Sequence, residues 1–169
     1  MLRLLGFIII VASSAKIGFD ISAKYIGRVR ELKSFIKVLE KLKNEISFSN
    51  CVICDALLNS SNVKSAAVSE MVKYIAENVK NEKTDLCEAF DSYVVTKPTY
   101  FDKTDVDEIF TFLSALGSGD AEEEIKNISN TTEILKSNLA NAVENQRKYV
   151  KVFRTSGVLA GFLIAIILA

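Results

Sequence analysis

The sequence of 169 residues contains no histidine and no tryptophan. Histidine is the usual general base near neutral pH and the commonest metal ligand, so its absence removes the most frequent acid–base and metal chemistry. The 21 lysine and arginine residues balance the 21 aspartate and glutamate residues, and the basic residues do not cluster on aromatic-flanked loops. We therefore expect no catalytic residue, no cofactor, no metal site and no nucleic-acid partner.

Proline and glycine are also scarce, with one proline and seven glycines. Because these residues interrupt helices, and because lysine, glutamate, leucine, isoleucine and alanine are abundant, the composition predicts a chain that is nearly all helix. The odd number of cysteines, Cys51, Cys54 and Cys87, argues against a disulfide framework, and no further residues complete a four-ligand zinc site. We expect all three to be reduced, small apolar side chains.

The carboxyl-terminal segment, residues 155–169, contains no charged residue. Its eight Val, Leu, Ile and Phe residues favour insertion into a bilayer by about 2.4 to 4.8 kcal/mol. A helix that begins at Val152, with Lys151 and Arg154 extending their charged ends towards water, is about 27 Å long, close to the hydrocarbon core of about 30 Å. Residues 152–169 are therefore predicted to form a transmembrane helix.

Upstream of this segment, the same helix is predicted to extend back to residue 120. Positions spaced by three and four form the pattern of a helix packed along one stripe, with Thr132 and Gln146 filling two steps and apolar side chains at the others: Ile125, Ile128, Leu135, Leu139, Val143, Val150 and Phe153. Asp120 and Glu123 are predicted to cap this helix structurally, as a capping box. With Glu122 and Glu124 they form an acidic turn that invites interpretation as an acid–base or cation site, but the helix dipole stabilises acids at this end, so we favour capping.

The amino-terminal residues 1–19 form a second apolar segment, interrupted only by Arg3 and Lys16. The large apolar side chains favour insertion by about 3 to 6 kcal/mol, which exceeds the cost of one lysine near the end of the span. We predict a transmembrane helix over residues 1–19. The alternative is a signal peptide cleaved before Lys16, with Arg3 as its positive region and small residues at the recognition positions.

Basic residues flank the inner ends of both apolar segments. Lys16, Lys24, Arg28, Arg30, Lys33 and Lys37 follow the first segment, and Arg147, Lys148, Lys151 and Arg154 precede the second. By the positive-inside rule, both segments predict the same topology, with residues 20–151 in the cytoplasm and both termini outside. A cleaved and exported domain would carry these basic residues on the wrong side of the membrane.

Residues 20–151 are predicted to form a helical bundle. A second apolar stripe lies at Val29, Leu32, Ile36, Leu39, Leu42 and Ile46. Residues 20–48 and 120–151 would form helices of about 43 and 48 Å, which can run antiparallel from the same membrane face. Shorter helices are predicted over residues 55–59, over residues 63–80, from Thr84 to Lys97, and after a cap at Thr104 or Asp105. The expected fold is an all-α six-helix bundle whose first and last helices continue into the transmembrane helices.

Small residues recur every four positions along the carboxyl-terminal span. They are Gly157, Gly161, Ala165 and Ala169. Small side chains on one face allow another transmembrane backbone to approach closely. We predict that this stripe is a transmembrane packing face, directed either at Gly6, Ser14 or Gly18 of the first span or at a partner protein.

Several runs in this order resemble the stage III sporulation protein AB family, relatives of the type II secretion F-domain platform proteins. The runs are the Met-Leu-Arg-Leu-Leu-Gly opening, Arg28-Val-Arg-Glu-Leu32, Leu39-Glu-Lys-Leu-Lys-Asn-Glu-Ile46, Leu86-Cys-Glu-Ala-Phe90 and Leu113-Ser-Ala-Leu-Gly-Ser-Gly-Asp120. The chain departs from the family pattern with Cys51-Val-Ile for Thr-Pro-Leu, Gly119 for Ser, Glu124 for Gln and Asn127 for His.

The resemblance implies a fold of the type II secretion F-like type and a function in sporulation. The protein would be a non-enzymatic platform subunit of the channel between mother cell and forespore, located in the mother-cell membrane around the forespore. The implied partners are the secretion-type ATPase of the same complex, other membrane subunits of the channel and membrane lipid, with further copies of the chain as another option. Two alternatives remain: an exported, signal-cleaved, C-terminally anchored helical domain that binds an envelope ligand, and a hydrolase that uses the acidic turn at Asp120.

Overall fold

A computed structural model describes residues 2–48, 53–82 and 84–168. These residues form helices and loops without any β-strand, which confirms the all-α prediction. The six helices are α1 (Leu2–Phe48), α2 (Ile53–Ser60), α3 (Ala66–Glu82), α4 (Leu86–Thr96), α5 (Lys103–Ala115) and α6 (Ala121–Leu168). Helices α1 and α6 run unbroken for 47 and 48 residues, so each predicted membrane segment continues directly into a long helix.

The chain folds into two compact units, which we call the terminal unit and the central unit. The terminal unit comprises Met1–Val29 and Asn141–Ala169, the outer parts of α1 and α6. The central unit comprises Arg30–Ala140, which contains the inner parts of α1 and α6 together with α2 to α5. The two units are defined by packing within the chain. The domain boundaries predicted at residues 20 and 151 mark where the chain would enter the membrane, and they stay a prediction.

The core of the central unit lies on the predicted apolar stripes. Leu32, Leu39 and Leu42 of α1 are completely buried, as are Ile128 and Leu135 of α6. Fully burying a side chain of this size contributes about 1.5 to 3 kcal/mol. The shorter helices complete the core with large side chains at or near zero exposure: Met71, Phe90, Ile109 and Phe112. The three- and four-residue spacing therefore identified the faces that pack.

Helices α1 and α6 run antiparallel inside the central unit. The Nζ atom of Lys43 donates a hydrogen bond to the hydroxyl of Ser129 at 2.9 Å. Farther towards the amino end of α1, Glu40 lies 3.8 Å from Lys136, which is farther along α6. Because the residue number falls on α1 as it rises on α6, the two chain directions are opposite.

The beginning of α5 differs from the sequence prediction. Asp102 is the N-cap, and neither Thr104 nor Asp105 has that position. The Asp102 side chain accepts hydrogen bonds from the N–H groups of Lys103 and Asp105, and the Asp105 carboxylate accepts one from the N–H of Asp102, so Asp102 and Asp105 form a reciprocal capping box. The prediction was wrong because several acids and a threonine stand close together, and each is a good capping residue. Similarly, the N-cap of α4 is Asp85 instead of Thr84.

Candidate functional site

The terminal unit is built around a close approach of two backbones. A Cβ atom added to Gly157 would lie 3.0 Å from the Cα of Gly18 and 3.1 Å from the carbonyl oxygen of Ser14. A Cβ atom added to Gly18 would lie 2.5 Å from the carbonyl oxygen of Phe153, a distance that no side chain tolerates. The outer parts of α1 and α6 therefore require glycine at both positions to reach this separation.

Two serine hydroxyls bridge the same pair of helices. Ser14 Oγ donates a hydrogen bond to the carbonyl oxygen of Gly157 at 2.6 Å. Ser22 Oγ donates to the carbonyl oxygen of Gly18 in its own helix at 2.8 Å and lies 3.3 Å from the carbonyl oxygen of Val150 in α6. Hydrogen bonds between small polar residues and a neighbouring backbone are a common means of joining helices in a bilayer.

These contacts set an antiparallel register. An added Cβ at Gly161 would lie 2.9 Å from the Cα of Val11, and eleven residues farther along α1, Ser22 faces Val150, which is eleven residues back along α6. The residue numbers therefore change in step, with Ser14 opposite Gly157 in between. This register brings the apolar segment near the start of α1 level with the apolar end of α6.

The outer surface of the paired segments is apolar. Large apolar side chains that remain exposed are Ile8, Ile9, Ile17, Phe19, Val152, Leu159, Phe162, Leu163, Ile164, Ile166 and Ile167. Near the end of α6, Ile166 and Ile167 are 69% and 74% exposed. Water would make this surface unfavourable, whereas hydrocarbon would solvate it. Within the described residues, one helix, α6, is long and apolar enough to cross a membrane.

The residues of the predicted packing face have different environments. Gly157 and Gly161 lie against α1, and Ala165 is 3% exposed, whereas Ala169 lies outside the described residues. On α1, Gly18 and Ser14 contact this stripe, but the position of a Cβ atom on Gly6 has no neighbour within 4 Å. That the face packs inside a membrane stays a prediction.

An aromatic cluster lies at the inner end of the terminal unit. The ring of Tyr25 stacks on that of Tyr149, with centroids 5.5 Å apart, and on that of Phe153 at 6.0 Å. Sequence reasoning missed this cluster, although two tyrosines beside basic residues next to apolar segments are typical of the aromatic belts at membrane surfaces. The guanidinium of Arg154 also crosses from α6 to lie 5.2 Å from the ring centroid of Phe19 on α1.

In the central unit, the acidic turn before α6 makes local structural contacts. Asp120 Oδ1 accepts hydrogen bonds from the N–H groups of Glu122 and Glu123, at 3.1 and 2.9 Å. Glu123 lies beside Gly119, whose added Cβ would be 2.6 Å from Glu123 Oε2. These contacts satisfy N–H groups in the first turn of the helix. Among the described residues, no group of three acidic or cysteine side chains is arranged to hold a metal ion.

Glu124 has a structural role that was not apparent from the sequence. Its side chain is buried, and Oε1 accepts hydrogen bonds from the N–H groups of Gly117 and Gly119 at 2.7 and 3.3 Å. Gly117 has a φ angle of 92°, a left-handed conformation that favours glycine. Glu124 therefore holds the loop between α5 and α6 in its sharp turn. Its other oxygen, Oε2, and Asn127 Nδ2 are buried without a hydrogen-bond partner among the described residues.

A second buried carboxylate, Glu31, fastens the loop between α4 and α5. Glu31 is 1% exposed, and its Oε2 accepts a hydrogen bond from the N–H of Tyr100 at 2.8 Å. Burial raises the pKa of Glu31, while the bond from Tyr100 and the positive charge of Arg30 lower it by a smaller amount. This buried carboxylate therefore positions the loop through the N–H of Tyr100.

The cysteines resemble apolar core residues. Cys87 is buried, and Cys54 is partly buried; both are free thiols. Burial raises the pKa of the Cys87 thiol, with a smaller contribution from Asp85, which keeps it in the unreactive thiol form. Cys51 lies outside the described residues, so the interpretation of Cys51 and Cys54 as separate reduced side chains stays a prediction.

Comparison with known proteins shows the family. The profile of the family described as stage III sporulation protein AB matches residues 3–169. The chain belongs to the stage III sporulation protein AB family. It is similar to Stage III sporulation protein AB of Bacillus subtilis (strain 168), with 24% identity over 170 residues that cover 99% of each chain. No solved structure matches the chain significantly.

Membership of the stage III sporulation protein AB family confirms the resemblance found in the sequence and implies involvement in sporulation. The family name denotes no enzymatic activity. The sporulation family name and the apolar end of α6 together indicate that the protein is associated with a membrane.

Proposed function

We propose that this protein is a non-enzymatic platform subunit of the channel between mother cell and forespore. Both terminal segments anchor it in the mother-cell membrane, and the central unit lies in the cytoplasm. There it organises the complex and contacts the secretion-type ATPase, a role that a resemblance to type II secretion F-domain proteins would imply. The observation that carries the membrane part of this proposal is the antiparallel register of Ser14 with Gly157, because it aligns the two apolar segments.

The same pairing favours a retained amino-terminal segment over a cleaved signal peptide. Cleavage before Lys16 would remove Val11 and Ser14, which lie against Gly161 and Gly157. The small-residue face of α6 would then lose its partner, and the Ser14 hydrogen bond would be lost. An anchor with two helices also explains why basic residues adjoin the inner ends of both segments.

Thiol accessibility tests the topology. The three cysteines are replaced by alanine, and a single cysteine is placed at Lys37 or Lys126, both exposed in the central unit. In cells that are not sporulating, so that the membrane faces the medium, a membrane-impermeant maleimide should modify neither position until the cells are opened. A cysteine appended after the last residue is the matched control and should react in intact cells.

Modification of the central positions in intact cells would refute the proposal. So would a mature protein whose first residue is Lys16, which would support the exported alternative. For the ATPase contact, photoreactive side chains placed one at a time at the exposed positions of the central unit should form adducts with the ATPase of the complex from at least one position. The absence of adducts from every exposed position of the central unit would contradict that contact.

A further inference from the structure

Exposed cations are concentrated in the inner part of the terminal unit. We call this group the basic collar, and its exposed members are Lys16, Lys24, Arg147, Lys148, Lys151 and Arg154. The acidic residues of the terminal unit are Asp20 and Glu144. Among the described residues, no carboxylate lies within ion-pair distance, 4.0 Å, of Lys16, Lys24 or Lys151. These three lysines therefore have no ion-pair partner among the described residues.

Three members of the collar share one side of the helix pair. Arg154 reaches across to Phe19, and its guanidinium lies 5.2 Å from the ring centroid, a cation–π contact that holds the planar group in place. Lys16 precedes Phe19 by three residues and so lies on the same face of α1. Lys151 precedes Arg154 by three residues and lies on the same face of α6. The contact between Arg154 and Phe19 brings these two faces together.

The three cations also adjoin the apolar surface. Ile17 and Val152, next to Lys16 and Lys151 in the chain, are 61% and 53% exposed. Farther along α6, Leu159 and Leu163 are both 61% exposed. A molecule bound here would meet positive charge at one end and a long apolar surface at the other. That combination matches a phospholipid, whose phosphate and acyl chains are joined in the same order.

We propose that Lys16, Lys151 and Arg154 form a binding site for the phosphate of an anionic phospholipid. Lys16 and Lys151 attract the negative headgroup as point charges, and the Arg154 guanidinium donates hydrogen bonds to the phosphate oxygens. The acyl chains lie along the exposed apolar side chains of α6. This inference rests on the proposed function, because it requires the terminal unit to lie in a bilayer.

Lipid titration of the full chain in a neutral detergent tests the site, with native mass spectrometry as the readout. Phosphatidylglycerol and phosphatidylcholine are titrated separately. We expect tighter binding of phosphatidylglycerol. Replacing Lys151 and Arg154 together by glutamine should weaken it by roughly thirtyfold, since each basic side chain near a membrane surface contributes roughly a fivefold factor. The matched control, Lys73→Gln with Lys126→Gln, removes the same charge from exposed positions of the central unit and should leave binding unchanged.

Other ligands of the basic collar would give different results in this experiment. Equal binding of the two lipids, or an equal loss in the control pair, would overturn the proposal. Displacement of phosphatidylglycerol by inorganic phosphate or by soluble glycerophosphoglycerol at similar concentrations would indicate a free-phosphate site and would also overturn it. An acidic protein that copurifies with the unsubstituted chain but not with the Lys151 and Arg154 variant, without any lipid preference, would assign the collar to a protein partner instead.

The failure of this inference is distinguishable from the failure of the proposed function. Carbonate extraction of membranes reports whether the chain is integral, independently of lipid preference. An integral protein without a preference for phosphatidylglycerol contradicts the lipid site alone. A protein that carbonate releases contradicts the membrane platform and, with it, the lipid site.

Discussion

The glycine contacts of the terminal unit lead to a prediction that separates helix pairing from helix formation. Gly18→Val places a side chain where the carbonyl oxygen of Phe153 already lies, 2.5 Å from an added Cβ. Gly6→Val makes the same change on the same helix, where an added Cβ meets nothing within 4 Å. Effects of valine on helix propensity and lipid solubility are shared by the two variants. Their difference therefore measures the contact between the helices.

The expected difference follows from two terms. Overpacking a closely packed contact costs about 1 to 3 kcal/mol. Relieving the overlap would also move Ser14 away from Gly157 while the helices remain paired, and losing that bond costs about 0.6 kcal/mol for an interhelical hydrogen bond in a membrane protein. Together these terms destabilise the pairing by about 1.5 to 3.5 kcal/mol. That corresponds to a shift of roughly tenfold to several hundredfold in the equilibrium between paired and separated helices.

Spin labels at Ala23 and Val152, exposed positions on α1 and α6, would report the separation. The cysteines of the background are replaced by alanine, and the distance distribution is measured in detergent micelles by pulsed electron resonance. The unsubstituted chain and Gly6→Val should give one narrow distribution. Gly18→Val should give a broader and longer one, and should reach the separated state at a lower concentration of sodium dodecyl sulfate.

Two results would refute this reasoning. If Gly18→Val keeps the narrow distribution of the unsubstituted chain, the close approach does not require glycine at this position. If Gly6→Val separates the helices as readily as Gly18→Val, valine acts through the helix itself and not through its neighbour.

Two further predictions concern the buried carboxylates of the central unit. Glu124→Ala should lower the free energy of unfolding by about 1 to 3 kcal/mol, because two loop N–H groups lose their acceptor. Glu124→Gln keeps an acceptor, and Glu123→Ala at an exposed position should change the stability little. Thermal unfolding followed by circular dichroism compares the three variants, and equal melting temperatures would contradict the loop contact. Burial raises the pKa of Glu31, so its contribution to stability is fully present below the unfolded pKa and is lost as the pH rises through the folded pKa. Glu31→Gln should therefore gain stability relative to the unsubstituted chain as the pH rises across that window. A difference in melting temperature between the two proteins that stays the same at every pH would contradict this.

Much of the fold was predictable because it depends on local repetition. The stripes that include Leu32 and Leu135 identified the packed faces of α1 and α6, since a helix brings residues three and four apart onto one side. Helix ends were less predictable. Near α5, Asp102, Thr104 and Asp105 are all suitable caps, and the choice depends on the backbone conformation at Asp102, which composition does not encode.

The sites inside the units depended on contacts between distant residues. Glu31 resembles an ordinary exposed acid in the sequence, but its partner Tyr100 is 69 positions away. Glu124 resembles the other acids of its turn, yet folding directs it to the loop at Gly117. Local pattern cannot distinguish these carboxylates from their neighbours, because burial is a property of the packed chain.

The sequence by itself determined that the chain is helical, that both termini are apolar and that α6 presents a face able to approach another helix closely. Only the tertiary structure decided which helix that is. Gly157 lies opposite Gly18 and Ser14, 139 and 143 positions earlier in the chain, and no spacing along one helix specifies a partner on another. The physical reason is that a small residue allows close contact with any neighbouring helix. Which helix packs there, and in which register, is decided by the packing of both helices together.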